Sequence, residues 1–240
     1  KKVYESTAEF YDNCMKKDYD YTGWAKFILS LIDPAHTKGI DMGCGTGRMT
    51  YRFVQAGKDV VGVDPSPEML FAAQNAKFRG RRPEFLLGDA RTFKPLKKVQ
   101  FVVASCDVVN YLSLPEVSGF FMKARSYLEE GGELIFDITS KRRLEEMERE
   151  RVYFTDCTEY TRLWEVTGDD EKTRVELIYF IPGKDGRYIR RDEKHILYKH
   201  SFEGIAEVLD KAGYDWEAYE DFGGTPYSGG DRIYYKAKRK

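Results

Sequence analysis

The chain has 240 residues, 42% of them hydrophobic and 33% charged, with 39 basic and 40 acidic side chains and a net charge of −1. That size and composition suit a globular α/β protein with a sizeable core and exclude an intrinsically disordered chain. The balanced charge leaves no overall field to draw the protein onto nucleic acid or an anionic membrane. No apolar run approaches the roughly 20 residues that cross a bilayer.

The four cysteines, Cys14, Cys44, Cys106 and Cys157, form no C-x-x-C pair and have the spacing of neither a zinc site nor a disulfide framework. A reducing, cytoplasmic setting is expected. The first ten residues carry charges and tyrosines and lack the apolar centre of a signal peptide. Seventeen tyrosines are open to two readings, ordinary packing or an aromatic-lined pocket for a small or cationic ligand.

In chain order, Trp24, Phe27, Ile28, Leu31 and Ile32 recur as one helix face. Asp33-Pro34 stops that helix. From residue 38 strands and helices alternate. Strands are expected at 38–43, 59–64, 84–87, 100–105 and 133–138. Helices are expected at 48–56, from the Ser66 cap and Pro67 onward, and at 115–129 before Gly131-Gly132. This spacing means right-handed βαβ units and a mostly parallel sheet. A charged helix over 141–150 then gives way to three tyrosine- and valine-rich strands near 151–166, 173–181 and 187–198, read as antiparallel, and residues 140–200 are expected to form an insertion over the edge of the parallel sheet. Ser201 caps a last helix that Gly213 closes, before strands near 214–220 and 231–238.

The segment with the most chemical content is Gly39-Ile-Asp41-Met-Gly43-Cys44-Gly45-Thr46-Gly47, between a strand and a helix. Glycines there let the backbone turn tightly and approach a ligand, and the N–H groups opening the helix can bind an anion. Dinucleotide-binding proteins share such a turn, but counting from Gly43 the last fingerprint glycine would be Arg48. Asp41, two residues before Gly43, would face a positive ligand end, which suits an amino-acid cofactor better than a pyrophosphate.

The run Asp41–Gly47 resembles the first motif of class I S-adenosylmethionine (SAM)-dependent methyltransferases. Asp64, ending Val-Gly-Val-Asp, is similar to the family's ribose-binding acid, with Pro65 and Met69 following it. Gly88-Asp89-Ala90 matches the family's adenine-side position, and Ser105-Cys106-Asp107 the stretch that runs past the methionine part. More weakly, Tyr11, Tyr21 and Trp24, with the 107–112 segment, resemble small single-domain bacterial methyltransferases that carry an inserted antiparallel sheet and are related in layout to sugar-amine N-methyltransferases.

The resemblance implies a Rossmann-like seven-stranded sheet with helices on both faces and a small inserted antiparallel lid. It implies one domain: a helical cap over 1–37, a SAM-binding core over 38–139, an inserted sheet over 140–200, and the core's last helix and strands over 201–240. It implies SAM as cofactor, bound by Tyr11, Tyr21, Trp24, Asp41, Gly43, Cys44, Gly45, Gly47, Asp64, Pro65, Met69, Asp89, Ala90 and Cys106. The implied activity is methyl transfer to an oxygen or nitrogen of a small molecule.

Asp107-Val-Val-Asn110 stands where nucleic-acid base methylases carry N-P-P-Y, which argues against nucleic acid. The basic runs 79–82 and 236–240 read as solvated loop and tail. A SAM-binding regulator or subunit without transfer activity, and an RNA or protein methyltransferase, are the alternative readings. No acidic metal cluster is evident. Of His36, His195 and His200, only His195 is placed to reach an acceptor, and no catalytic residue is assigned. The sequence leaves the oligomeric state open.

Overall fold

The computed structural model describes residues 20–78, 80–183 and 185–240. Helix α1 (Tyr21–Leu31) starts where the Asp20 carboxylate accepts from the amides of Thr22 and Gly23, and ends where Ile32 turns extended. Its apolar stripe, Trp24, Phe27, Ile28 and Leu31, packs against Phe53, Phe101, Val103, Ile135 and Tyr234. Each such side chain is worth roughly 1.5–3 kcal/mol of burial, which anchors the helix beside the sheet.

Strands β1 (Lys38–Met42), β2 (Asp59–Asp64), β3 (Glu84–Leu87), β4 (Val99–Ala104) and β5 (Leu128–Thr139) pair in parallel. Helices α2 (Arg48–Gln55), α3 (Pro67–Asn75) and α4 (Leu114–Tyr127) connect them. Helix α6 (Phe202–Ala212) leads into β10 (Tyr214–Tyr219) and β11 (Arg232–Arg239), and β11 runs antiparallel to β5. The sheet order is β10-β11-β5-β4-β1-β2-β3, the expected seven strands, mostly parallel. The order reverses between β1 and β4, so a crevice opens at their carboxyl ends, where open α/β sheets bind ligands.

Between β5 and α6 lie α5 (Lys141–Glu150) and a separate antiparallel sheet. That sheet has four strands: β6 (Val152–Asp156), β7 (Thr161–Gly168), β8 (Lys172–Pro182) and β9 (Tyr188–Tyr198). The stretch read as one strand over 151–166 breaks in two because Cys157 and Tyr160 close a turn, N–H to carbonyl at 3.0 Å. Helix α4 also stops earlier than residue 129. Leu128 is already extended and pairs with Val99, before Gly131 turns the chain at φ 71°.

The inserted sheet docks at the middle of the main sheet, not over its edge. The fully buried Asn110, in the 3₁₀ turn Val108–Tyr111 after β4, sets that position. Its amide donates to the carbonyls of Thr139 (3.2 Å) and Tyr198 (3.1 Å) and accepts from the Thr139 N–H (2.9 Å). Among the described residues no helix is long and apolar enough to cross a membrane.

Candidate functional site

The glycine turn forms as its sequence requires. Gly43, Gly45 and Gly47 all have positive φ, and the amides of Gly43 and Cys44 both reach the Val63 carbonyl. A side chain on Gly47 would meet the Phe85 ring at 2.7 Å, whereas one on Gly45 would meet nothing within 4 Å. The turn is therefore packed on one side and open at its tip.

Three acids stand along this edge. The Asp64 carboxylate accepts from the amides of Gly45 (2.8 Å) and Ser66 (2.9 Å). Burial raises its pKa, those two amides pull it back, and Asp89 pushes it up again. Asp41 is 1% exposed, bonded by the Thr50 hydroxyl at 2.6 Å, and burial lifts it to about 7 with Asp64 adding repulsion. Asp89 lies after β3, where Arg91 pairs with it at 2.9 Å. Carboxylates that repel one another suit a ligand that brings positive charge and hydroxyls. SAM has a sulfonium, an ammonium and two ribose hydroxyls, whereas a dinucleotide pyrophosphate would add negative charge. The residues present fit SAM.

Beyond β4 the backbone is strained. Cys106 and Asp107, neither of them glycine, have φ of 64° and 67°. The amides of Cys106 (2.8 Å) and Asp107 (3.3 Å) donate to Asp137, and the Thr139 hydroxyl donates to Asp107 at 2.7 Å. Arg232 reaches over from β11, pairing with Asp107 at 2.7 Å and also with Asp137, while its guanidinium lies 4.9 Å from the Trp24 ring centre. Burial pushes Asp137 up to about 6 although Arg232 opposes it. Burial also works against Asp107, yet Arg232 holds that carboxyl below its ordinary value.

This network borders a cavity of about 320 Å³. Tyr21 and Trp24 of α1, Cys106 and Tyr111 form one side; Leu144 and Met147 of α5, with Trp164, Leu177, Tyr179, Glu193 and His195 of the inserted sheet, form the other. Tyr21, Trp24 and Cys106 thus line one cavity. Cys44, Met69 and Ala90 are buried, and Pro65 is exposed. Tyr11 lies outside the described residues. His36 pairs with Glu133 (2.9 Å), and the buried His200 bonds the Val109 carbonyl (3.2 Å), away from the cavity lining.

Several side chains of the two basic runs have partners on the protein. Arg81 pairs with Asp59, Lys236 with Glu133, and Arg239 bonds the Leu128 carbonyl. No group of acidic, histidine or cysteine side chains suited to a metal occurs among the described residues.

Sequence reasoning missed Asp137, Arg232 and Arg91 as parts of this edge. The signal was present for two of them. Asp137 interrupts the apolar run Leu-Ile-Phe-Asp-Ile, and Arg232 opens the strand that pairs beside it. A charge inside such a strand needs a partner.

Residues 40–132 match the family model described as a methyltransferase domain. A Geobacillus sp. (strain WCH70) protein named as a methyltransferase is 28% identical over 99% of this chain and 100% of its own length. A SAM-dependent methyltransferase from Clostridium acetobutylicum superimposes with a TM-score of 0.87 at 26% identity, covering 97% of each chain. The sugar N-methyltransferase KedS8 from Streptoalloteichus sp. shares the fold at a TM-score of 0.77 and 18% identity, over 96% of this chain and 93% of its own. With the glycine turn and the strand-end acids, these likenesses support a class I SAM-dependent methyltransferase.

Proposed function

We propose that this enzyme methylates an amine nitrogen of a small molecule held in the cavity beneath the inserted sheet. The observation that carries the reading is the composition of that cavity. At about 320 Å³ it is at the small end of ligand pockets. Its walls hold several aromatic rings and the buried Glu193. Its two arginines are both paired, Arg232 with Asp107 and Asp137, and Arg143 with Glu146 and Glu150. Rings and a carboxylate receive a cation, while paired arginines offer little to an anion. The likeness in fold to a sugar N-methyltransferase points the same way.

On this reading residues 38–139 and 201–240 bind the cofactor, and 140–200 close over the acceptor. Asp64 takes the ribose hydroxyls on lone pairs that Gly45 and Ser66 leave open. Asp89 and Ala90 bound the adenine, with Pro65 and Met69 nearby. Gly43, Cys44, Gly45 and Gly47 give the close backbone approach, Asp41 lies behind that turn, and Cys106 borders the methionine end. SAM supplies an activated methyl group. The protein's task is to hold the acceptor in line with it and exclude water, which Tyr21, Trp24 and the inserted sheet do.

The test is release of S-adenosylhomocysteine in the presence of small amines, small alcohols and phenols, and tRNA or protein extracts. Turnover with amines supports the proposal. Turnover only with hydroxyls, or only with a macromolecule, contradicts it.

A further inference from the structure

Methylating an amine requires that the nitrogen first lose the proton it carries as an ammonium ion at neutral pH. One cluster on the cavity wall has the groups for that step. In β9, Glu193, His195 and Leu197 alternate onto one face, and in the paired β8, Val175, Leu177 and Tyr179 do the same. All six line the cavity. His195 and Glu193 are 5% and 6% exposed. Histidine and glutamate are poor choices for a strand's apolar face unless their polar atoms have work there.

The Tyr111 hydroxyl is 2.8 Å from His195 Nδ1, and Glu193 Oε2 is 3.4 Å from Nε2 on the far side of the same ring. Tyr111 belongs to the turn that continues the strained Cys106–Asp107 backbone, and Arg91 holds its carbonyl at 3.3 Å. Glu193 stands at ion-pair distance from one ring nitrogen and the Tyr111 hydroxyl hydrogen-bonds the other, so a carboxylate, an imidazole and a hydroxyl meet on the cavity wall.

We propose that Tyr111 and His195 form a proton relay that deprotonates the amine, with Glu193 as the positioning residue that fixes the histidine tautomer. The inference rests on the cavity being the acceptor site. A proton on Nε2 faces Glu193, which leaves the Nδ1 lone pair to accept from Tyr111. The ammonium gives a proton to Tyr111 Oη while the Tyr111 proton passes to Nδ1. His195 becomes an imidazolium beside the Glu193 carboxylate, and the nitrogen is left with a free electron pair. That pair forms the new N–C bond as the methyl–sulfur bond breaks. The sulfonium becomes a neutral thioether, the product leaves as its own ammonium ion, and His195 returns its proton to water. Among the described residues, the other charged or titratable groups on the cavity wall are Arg143 of α5, Asp107 and Arg232 (paired with each other), Cys106, Tyr21 of α1, Tyr179 of β8 and Asp231.

The tautomer is the direct test. The chain has three histidines, so ¹⁵N-histidine labelling gives few signals, and the His195→Gln variant assigns those of His195. In the wild-type protein saturated with S-adenosylhomocysteine, we expect Nε2 protonated and Nδ1 an unprotonated acceptor. Glu193→Gln should mix the two tautomers. A proton on Nδ1 in the wild type overturns the relay, because Tyr111 could then hand nothing to it.

A second arm separates the relay from a structural role. Benzylamine is an ammonium at neutral pH and aniline is a free amine. Tyr111→Phe and His195→Gln should lower kcat on benzylamine by about 10²–10⁴-fold, with far smaller losses on aniline and unchanged affinity for S-adenosylhomocysteine. Equal losses on both amines overturn the relay. If wild-type protein turns over neither amine but methylates a hydroxyl, the amine reading fails, and the tautomer alone decides the relay.

Discussion

Asp41 shows the cost of a buried acid most plainly. Its pKa of about 7, against 3.8 as a free side chain, means that the folded protein holds a proton the unfolded chain has already lost. Its contribution to stability is complete below about pH 4 and disappears as pH rises through 7. Asp41→Asn keeps an acceptor for the Thr50 hydroxyl and removes that cost. The variant should therefore gain about 2–4 kcal/mol in urea unfolding at pH 8 and almost nothing at pH 4. Arg232 is the opposite case, a cation holding two acids. Arg232→Met should lose about 3 kcal/mol at pH 8. It should lose less at pH 5, where Asp137, already lifted to about 6, takes a proton. Unfolding curves at the two pH values check both variants. The sequence exposed Asp41 through its glycine turn, but it concealed Arg232. The arginine's partners are 95 and 125 residues away, and only the antiparallel register of β11 on β5 brings them together.

At the scale of elements, local signals placed most of the chain. The caps at Ser66 and Ser201 and the closing Gly213 behave as their residue types require. The misplacements have tertiary causes. Helix α4 has good helix formers to residue 129, but Leu128 is captured early by strand pairing to Val99. The docking of the inserted sheet could not be read from periodicity, because the Asn110 bond that ties it to the turn after β4 goes to Tyr198, 88 residues away. An asparagine before a Ser-Leu-Pro turn reads equally well as a local cap. Asn110→Ala leaves the Thr139 amide and two carbonyls without these partners inside the fold. It should cost about 2–4 kcal/mol and speed proteolysis between residues 140 and 200. Urea titration and mass mapping of the fragments test this. Cleavage no faster than in the wild type would show that other contacts hold the sheet in place.

Across the whole molecule the shifted acids act together. Asp41 and Asp137 both lose stability as pH rises from about 4 towards 7. Glu116 lies on the other limb. The Ser113 amide, followed by Arg91, holds it at about 2, so its contribution disappears as pH falls below its ordinary range. Urea midpoints across pH 2–9 should therefore peak on the acid side, near pH 4–5, and Asp41→Asn should flatten the descent above it. A maximum at pH 8 in the wild type would contradict the burial of these acids.

In the proposed function Asp64 is the ribose contact of a SAM site in the β1–β4 crevice. The most direct test is calorimetric titration of S-adenosylhomocysteine into wild type and Asp64→Ala. Losing charge-assisted hydrogen bonds should cost roughly 1.5–3 kcal/mol. Binding to the wild type should be micromolar, weakened about tenfold or more in the variant. Binding of equal strength in both would remove Asp64 from the site, and no binding to the wild type would contradict the cofactor assignment itself.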